Sequence, residues 1–325
     1  MGDRMLRPIP AAMAALALLA GAAQAQSDYP NKPVKIIVPA AAGGGTDTTA
    51  RMIADHLSKV TGQSFYVENR AGGGALIGAE AAARSPADGY TLLMMPSTIT
   101  TMHLARKTMP FDAVRDFAPV TQFIILPQVL VVHPSVPAKT LAEFIALAKK
   151  EPGKLTYGLA GPGTAPQMAM ELFKSMAQID IQHIPYRGVA PALQDILGGR
   201  VSGMIVNVLI AKPHIEAGKL RALGVTSLKR ARTMPDVPAI AEAGLANYQA
   251  LQWFGMLAPA GTPQLIVDRL QKEIADVLRT PAMQKRLEIE GADPVGNSAA
   301  AFGKVIKDEI AMWEKVAAAA GIKPQ

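Results

Sequence analysis

Short apolar runs closed by proline or glycine alternate along this chain with longer stretches whose apolar positions recur at helical spacing. The unit is plainest at Val34–Arg51, VKIIVPAAAGGGTDTTAR. Val34 and Ile36–Val38 form a β-branched run bounded by Pro39 and Gly43–Gly45, which reads as a buried strand. Thr46 and Asp47 carry N-cap chemistry for a helix running to about Leu57. Such a turn leaves free backbone N–H groups and the positive end of the helix dipole pointing one way, which suits an anion. A tight turn without a ligand accounts for the stretch equally well. The unit recurs. Phe65–Glu68 reads as a strand, Asn69–Gly74 as its turn and Ala75–Arg84 as a helix. Thr91–Met95 is a further strand, closed by Pro96, with Ser97-Thr98 capping the next segment. Repeated strand–loop–helix units imply a parallel sheet with helices on its faces.

The second half has the same plan. Val129–Val132 is a β run after Pro127, and Lys139-Thr140 caps a helix over Leu141–Lys150 that ends at Pro152-Gly153. Leu155–Tyr157, Ile181–Tyr186, Gly203–Val206 and Leu220–Thr226 read as strands, with helices over Gln167–Met176 and Ala190–Leu197. Met256–Ala258 is a short β run. Helices over Gln264–Leu278, Ala282–Glu290 and Ala299–Ala320 close the chain, the first with Leu265, Ile266, Leu270, Ile274 and Leu278 on one face. The β runs near 129–134 and 253–258 read as the crossings between two α/β domains. The expected division is 27–127 with 257–325 as domain 1 and 128–256 as domain 2, the C-terminal helices returning to domain 1.

Composition changes this picture at the ends and in its chemistry. Arg4 and Arg7, the apolar run Ala11–Ala23 and Ala23-Gln24-Ala25 read as a secretory signal peptide over residues 1–25, cut after Ala25. The run is short for a membrane span, and no cysteine stands after it to carry a lipid anchor. The 325 residues, half of them hydrophobic, suffice for two cores. The net charge of +7 is spread along the chain without a basic block, which argues against nucleic acid. The absence of cysteine excludes disulfides, thiol chemistry and the usual structural zinc sites. There is no GxSxG or HExxH, and His56, His103, His133, His183 and His214 lie scattered with no pair at ligand spacing. GGGALIG fails as a dinucleotide fingerprint because Ile77 stands where the third glycine belongs. The expectation is a non-enzyme with no cofactor and no metal.

What remains is a set of loops at the carboxyl ends of the strands, the edge where open α/β sheets bind ligands. The candidate ligand-binding residues are Ala41, Gly43, Gly44, Thr46, Asp47, Gly74, Ala75, Leu76, Ser97, Thr98, Ala160, Gly161, Gly163, Thr164, Tyr186, Arg187, Gly188 and Asn207. They offer backbone N–H groups and hydroxyls, with Arg187 as the fixed cation that favours a carboxylate. Two such domains facing each other across a hinge form a cleft that closes on a small molecule.

Collinear motifs along the chain carry a resemblance. YPNKPVKIIVP with GGGTD, ENRAGGG with IGAEAAA, PADGYTLL, DFAPVTQF, PHIEAGKLRALGVTS with MPDVPAIAEAGL, and WFGMLAPAGTP resemble the substrate-binding proteins of tripartite tricarboxylate transporters, also called Bordetella-uptake-type proteins. The resemblance implies a periplasmic, two-domain Venus flytrap of the periplasmic binding protein type II architecture. It also implies a monomer that takes a small carboxylate and delivers it to a two-subunit membrane transporter. A receptor acting through a sensor kinase and an exported α/β enzyme are the alternatives. The chain departs from the family pattern at Ala40–Ala42, Leu76, Leu159 and Val206, where an aromatic or polar residues are frequent. These changes give the expectation of a roomier, more apolar cleft for a ligand with an aliphatic or aromatic body and one carboxylate.

Overall fold

The computed structural model describes residues 29–322, except 41, 44, 160–162, 187 and 188. The expected signal peptide and its cleavage site lie outside the described residues. The first sheet begins as the sequence pattern implies. Strand β1 (Val34–Val38) leads through the glycine turn into α1 (Gly45–Thr61), β2 (Phe65–Asn69) into α2 (Leu76–Ala83), and β3 (Thr91–Pro96) into a short turn of helix over Ser97–Thr100. β1 lies parallel to both β2 and β3. The long strand β4 (Phe117–Leu126) comes next. Sequence reasoning did not place it, because Pro119 and the adjacent pair Thr121-Gln122 blur its alternation. Its pairing with β10 also shifts register twice.

The chain leaves the first sheet at Leu126 and enters the second at β5 (Gln128–Val132), so it crosses at Pro127. The second sheet then collects β6 (Thr156–Leu159), β7 (Gln182–Pro185), β8 (Gly203–Asn207) and β9 (Arg221–Val225). Between them run α3 (Leu141–Lys150), α4 (Ala165–Ala177), α5 (Val189–Leu197) and α6 (Val208–Glu216). Beyond Ala250 the chain rejoins the first sheet as β10 (Gln252–Pro259). Then come α7 (Gln264–Leu278), α8 (Pro281–Glu290), the short β11 (Asp293–Pro294) and α9 (Ala299–Ala319). The strand orders are β11-β4-β10-β3-β1-β2 and β7-β6-β8-β5-β9. Both sheets are mixed. In the first, β10 runs antiparallel to β3 and β4; in the second, β5 runs antiparallel to β8 and β9. The β runs read from sequence as crossings are therefore the first strands after each crossing.

Apolar faces explain the layers. α1 and α7 cover one face of the first sheet with Ile53, Leu57, Ile266, Leu270 and Ile274. α2 and the first half of α9 cover the other with Ala79, Ala82, Phe302 and Ile306. On the second sheet, α3 and α4 bury Leu141, Phe144, Met168 and Phe173, and α5 and α6 bury Ala192, Ile196, Val208 and Ala211. α9 does not simply return to the first domain. Its C-terminal half sends Trp313, Val316 and Ala317 into the core of the second. At 21 residues it is about 31 Å long, enough to reach across both.

Candidate functional site

The two crossings bring the sheets together by one edge each. β3 and β4 end where β10 begins, with Pro96 opposite Phe254 and Leu126 opposite Gln252. On the other side Gln128 lies opposite Asn207, where β5 begins and β8 ends. The Gln128 N–H donates to Thr226 Oγ1 at 3.1 Å, and the Thr226 carbonyl accepts from Ala250 N–H at 3.0 Å. The outgoing and returning strands are thus tied side by side. The carboxyl ends of β1, β2, β3, β6, β7 and β8 all open at this junction, and α1, α2, α4, α5 and α6 start there. Helix starts from two separate sheets aim N–H groups and positive dipole ends at one gap.

Asp47 organises the glycine turn from the first turn of α1, not from the N-cap. It is 2% exposed. Oδ2 accepts from the Gly43 N–H at 2.8 Å and from Arg51 Nε at 3.1 Å, and Oδ1 accepts from Asn69 Nδ2 at 2.9 Å. Asn69 Nδ2 also donates to the Ala40 carbonyl at 3.1 Å, so one carboxylate and one amide hold both sides of the turn. Burial pushes the Asp47 carboxyl up, but the hydrogen bonds from Arg51, Gly43 and Asn69 outweigh it and hold it at about 2. A carboxylate that is charged at neutral pH and fully partnered shapes the loop and is no donor to an anion. Thr46 is buried beside it.

The next loop is held in an unusual backbone shape. Gly74 and Ala75 have φ of 61° and 79°, and the left-handed conformation is uncommon for a residue with a Cβ. Arg106 Nη2 donates to the Gly73 carbonyl beneath them. Leu76 lies half-buried against the first-sheet core. At the end of β3, Ser97 is buried and its Oγ has no hydrogen-bond partner among the described residues. Thr98 presents its carbonyl to the Thr101 N–H at 3.1 Å.

On the second sheet, the Gly163 N–H donates to Gln167 Oε1 at 2.7 Å, and Thr164 precedes the first residue of α4. The Gly163 carbonyl accepts from the Thr101 hydroxyl at 2.7 Å, a direct bond between the two edges. Asn207 caps α6 by accepting from the Leu209 N–H at 2.8 Å. Tyr186 donates its hydroxyl to Asp195 Oδ2 at 2.6 Å. Burial and that carboxylate push the phenol up to about 12, so it stays a donor committed to Asp195. Ala41, Gly44, Ala160, Gly161, Arg187 and Gly188 lie outside the described residues.

One expectation about cleft polarity is corrected, at Val206. Leu159 is 5% exposed in the α4-side core, and Val206 is 1% exposed in the α5–α6 core. Both side chains follow the alternation of their strands into a sheet face; Val206 packs among apolar neighbours, whereas Leu159 also borders a cavity of about 580 Å³ shared with Gly163 and Gln167. Sequence reasoning missed Gln128, which is 1% exposed with neither its Oε1 nor its Nε2 hydrogen-bonded to any described residue. A lone amide heading the wholly apolar run Val129–Val132 was the available signal. Among the described residues no group of His, Cys, Asp and Glu is placed to hold a metal ion, and no helix is long and apolar enough to cross a membrane.

Comparison with known proteins bears on this arrangement. Residues 49–322 match the model of the tripartite tricarboxylate transporter family receptor. The protein BugT of Bordetella pertussis is 36% identical over 297 residues, 91% of each chain. The structure of Rpa4515 of R. palustris with adipate is 40% identical with a TM-score of 0.79, over 91% of this chain and all of that one. MatC of Rhodopseudomonas palustris with bound malate is 30% identical with a TM-score of 0.74, over 89% and 100%.

Proposed function

The chain belongs to the tripartite tricarboxylate transporter receptor family, and from that premise we propose that it captures a dicarboxylate at the junction of its two sheets. The family consists of solute-binding receptors, not enzymes, and this chain is one of them. The carrying observation is that polar groups with no hydrogen-bond partner among the described residues stand on both edges of the junction: the buried Ser97 hydroxyl on the first and the buried Gln128 amide at the head of the second. A molecule with a carboxylate at each end satisfies both sides and draws on helix N-termini from both sheets. Adipate and malate, seen with Rpa4515 and MatC, are of this class. The burial of Val206 among apolar neighbours takes away one of the departures that pointed to an apolar monocarboxylate.

Thr46, Gly74, Ser97, Thr98, Gly163, Thr164 and Asn207 are the described residues proposed to face the ligand, with Asp47 and Tyr186 holding the loops. Ligand contacting both edges favours the closed arrangement by its differential affinity for it, pivoting at Pro127 and Ala250–Leu251. Delivery to a two-subunit membrane transporter, export by a cleaved leader and action in the periplasm complete the proposal.

A thermal-shift series with C4 to C6 dicarboxylates, matched monocarboxylates and citrate tests it. A ligand at a hundred times its dissociation constant adds about 2.7 kcal/mol, which raises the midpoint by several degrees in a chain of this size. Stabilisation by dicarboxylates over their monocarboxylate counterparts is expected. Stabilisation by monocarboxylates alone overturns the ligand class.

A further inference from the structure

Past Thr101, a short helical turn over Met102–Ala105 carries a cation to the mouth of the junction. Arg106, which follows that turn, is half-buried. Its Nη1 donates to the Met102 carbonyl at 2.7 Å and its Nη2 to the Gly73 carbonyl, so two backbone oxygens hold the guanidinium in place. A Cβ built on Gly74 would lie 3.0 Å from Nη2, which puts the guanidinium against the backbone of the left-handed loop. The residue before it, Ala105, lines the cavity of about 580 Å³ that Gly163 and Gln167 of the second sheet also line. Arg106 thus stands where the Gly73–Ala75 loop of the first edge approaches the Gly163 loop of the second.

The partners of the neighbouring arginines single it out. Among the described residues, Arg51 is paired with Asp47, Arg70 with Glu68 and Arg200 with Asp195. Arg106 bonds to carbonyls instead and has no carboxylate partner among the described residues. Two neutral acceptors leave part of the N–H fork uncommitted and the whole charge uncompensated. The start of α2 adds to the same field. Its N-cap position is Ala75, which supplies no side-chain acceptor, so the positive end of the helix dipole is not offset there. We infer that Arg106 is a specificity-determining residue: its guanidinium takes one of the ligand's two carboxylates, the one nearer the Gly73–Ala75 loop, and so sets the preference for a second negative charge. This rests on the dicarboxylate reading of the same site.

The chemistry suits the position. A planar guanidinium stays charged at every working pH and matches the geometry of a carboxylate. Held by Met102 and Gly73 before any ligand arrives, it has less side-chain freedom to lose on binding than a free surface arginine. Its bond to the Gly73 carbonyl also turns to use an oxygen that would otherwise repel an anion beside Gly74. Sequence reasoning placed the fixed cation at Arg187, which lies outside the described residues. Arg106 gave no such signal, because its place beside Gly73 depends on a turn after β3 folding back onto a loop 33 positions earlier.

The test compares ligands of one shape that differ by one charge. Calorimetry gives the affinities of succinate, glutarate and adipate, each beside its own monoamide, for the wild type, Arg106→Gln and Arg106→Lys. The glutamine keeps an amide donor for the Gly73 carbonyl and loses the charge; the lysine keeps the charge and loses the fork. In the wild type, a diacid that binds is expected to exceed its monoamide about tenfold, the lower end for a hydrogen bond to a charged group because the mouth is open to solvent. In Arg106→Gln the diacid is expected to weaken about tenfold while the monoamide holds, closing the gap, and Arg106→Lys should fall between. Added salt should weaken diacid binding more steeply in the wild type than in Arg106→Gln. An equal loss for diacid and monoamide would mean that Arg106 only shapes the loop, and an unchanged gap in Arg106→Gln would put the second carboxylate elsewhere; either overturns the inference. If no diacid binds the wild type, the dicarboxylate reading itself fails and this inference falls with it, a result distinct from binding whose diacid-to-monoamide ratio ignores residue 106.

Discussion

The Thr101 hydroxyl, on the turn that ends the third strand, donates to the carbonyl of Gly163 at 2.7 Å, on the loop that opens the fourth helix. The two residues are 62 positions apart and belong to different sheets. The contact leaves little room on one side, since a Cβ on Gly163 would lie 3.2 Å from Ala105 Cβ, and Gly163 has a φ of +72°. This bond is a clasp across the junction. Thr101→Val keeps the shape and removes the proton. It is expected to shift the ligand-free protein towards more open forms by the worth of one neutral hydrogen bond, about 1 kcal/mol. Small-angle scattering and dicarboxylate affinity check it; an unchanged radius of gyration and dissociation constant would show that the clasp has no weight.

Asp47 is expected to behave as a loop fastener. Asp47→Asn removes the charged acceptor of the Gly43 N–H and of Asn69, and hydrogen bonds to charged groups contribute about 1.5–3 kcal/mol. The Arg51 half of the cluster is half-exposed and adds little. Because the carboxyl is held below its ordinary value of 3.8, at about 2, its contribution is fully present above pH 3.8 and is lost as pH falls towards 2. Urea unfolding of both proteins at neutral pH and through this window should show a gap that narrows with acid. A gap independent of pH would place the effect elsewhere.

Gln128 offers the opposite trade. Its buried amide has no hydrogen-bond partner among the described residues, and an unsatisfied buried polar group costs about 1–3 kcal/mol. Gln128→Leu is therefore expected to raise the thermal midpoint of the free protein while weakening dicarboxylate binding. A fall in both would mean that the amide is structural, and a rise in midpoint with full affinity would remove it from the site.

Gly255 tests the core behind the site. A Cβ there would lie 2.2 Å from the Phe302 ring, which packs edge-on to Trp253 with centroids 5.1 Å apart. Overpacking of this kind costs about 1–3 kcal/mol, so Gly255→Ala should lower the urea midpoint with little change in the denaturant slope. Unchanged stability would mean that Phe302 has room to move.

How much of this was legible in the chain depends on how local each feature is. The β1–α1 and β2–α2 units could be read directly because periodicity, turn glycines and caps all lie within one short stretch. β4 could not, since it is buried through pairing with β10, more than a hundred residues later, despite Pro119 and Thr121-Gln122. The orientation of Leu159 and Val206 was equally hidden. At the end of a strand, a shift of one residue exchanges core for cleft, and only the neighbouring strands decide which.

The sequence by itself determined the class of molecule: two α/β units, loops rich in glycine and hydroxyls at their strand ends, no cysteine, and motifs collinear with one receptor family. These follow from composition and short-range pattern. The tertiary structure alone decided which polar groups remain for a ligand. Asp47 and Tyr186 look available in the chain and are committed in the fold, whereas the side chains of Ser97 and Gln128 find no partner among the described residues. It also decided that α9 ties the two cores together and brings Glu309 to Thr100, 209 positions away. Hydrogen-bond satisfaction is a property of what surrounds a group in space, and those surroundings exist only after distant segments have packed.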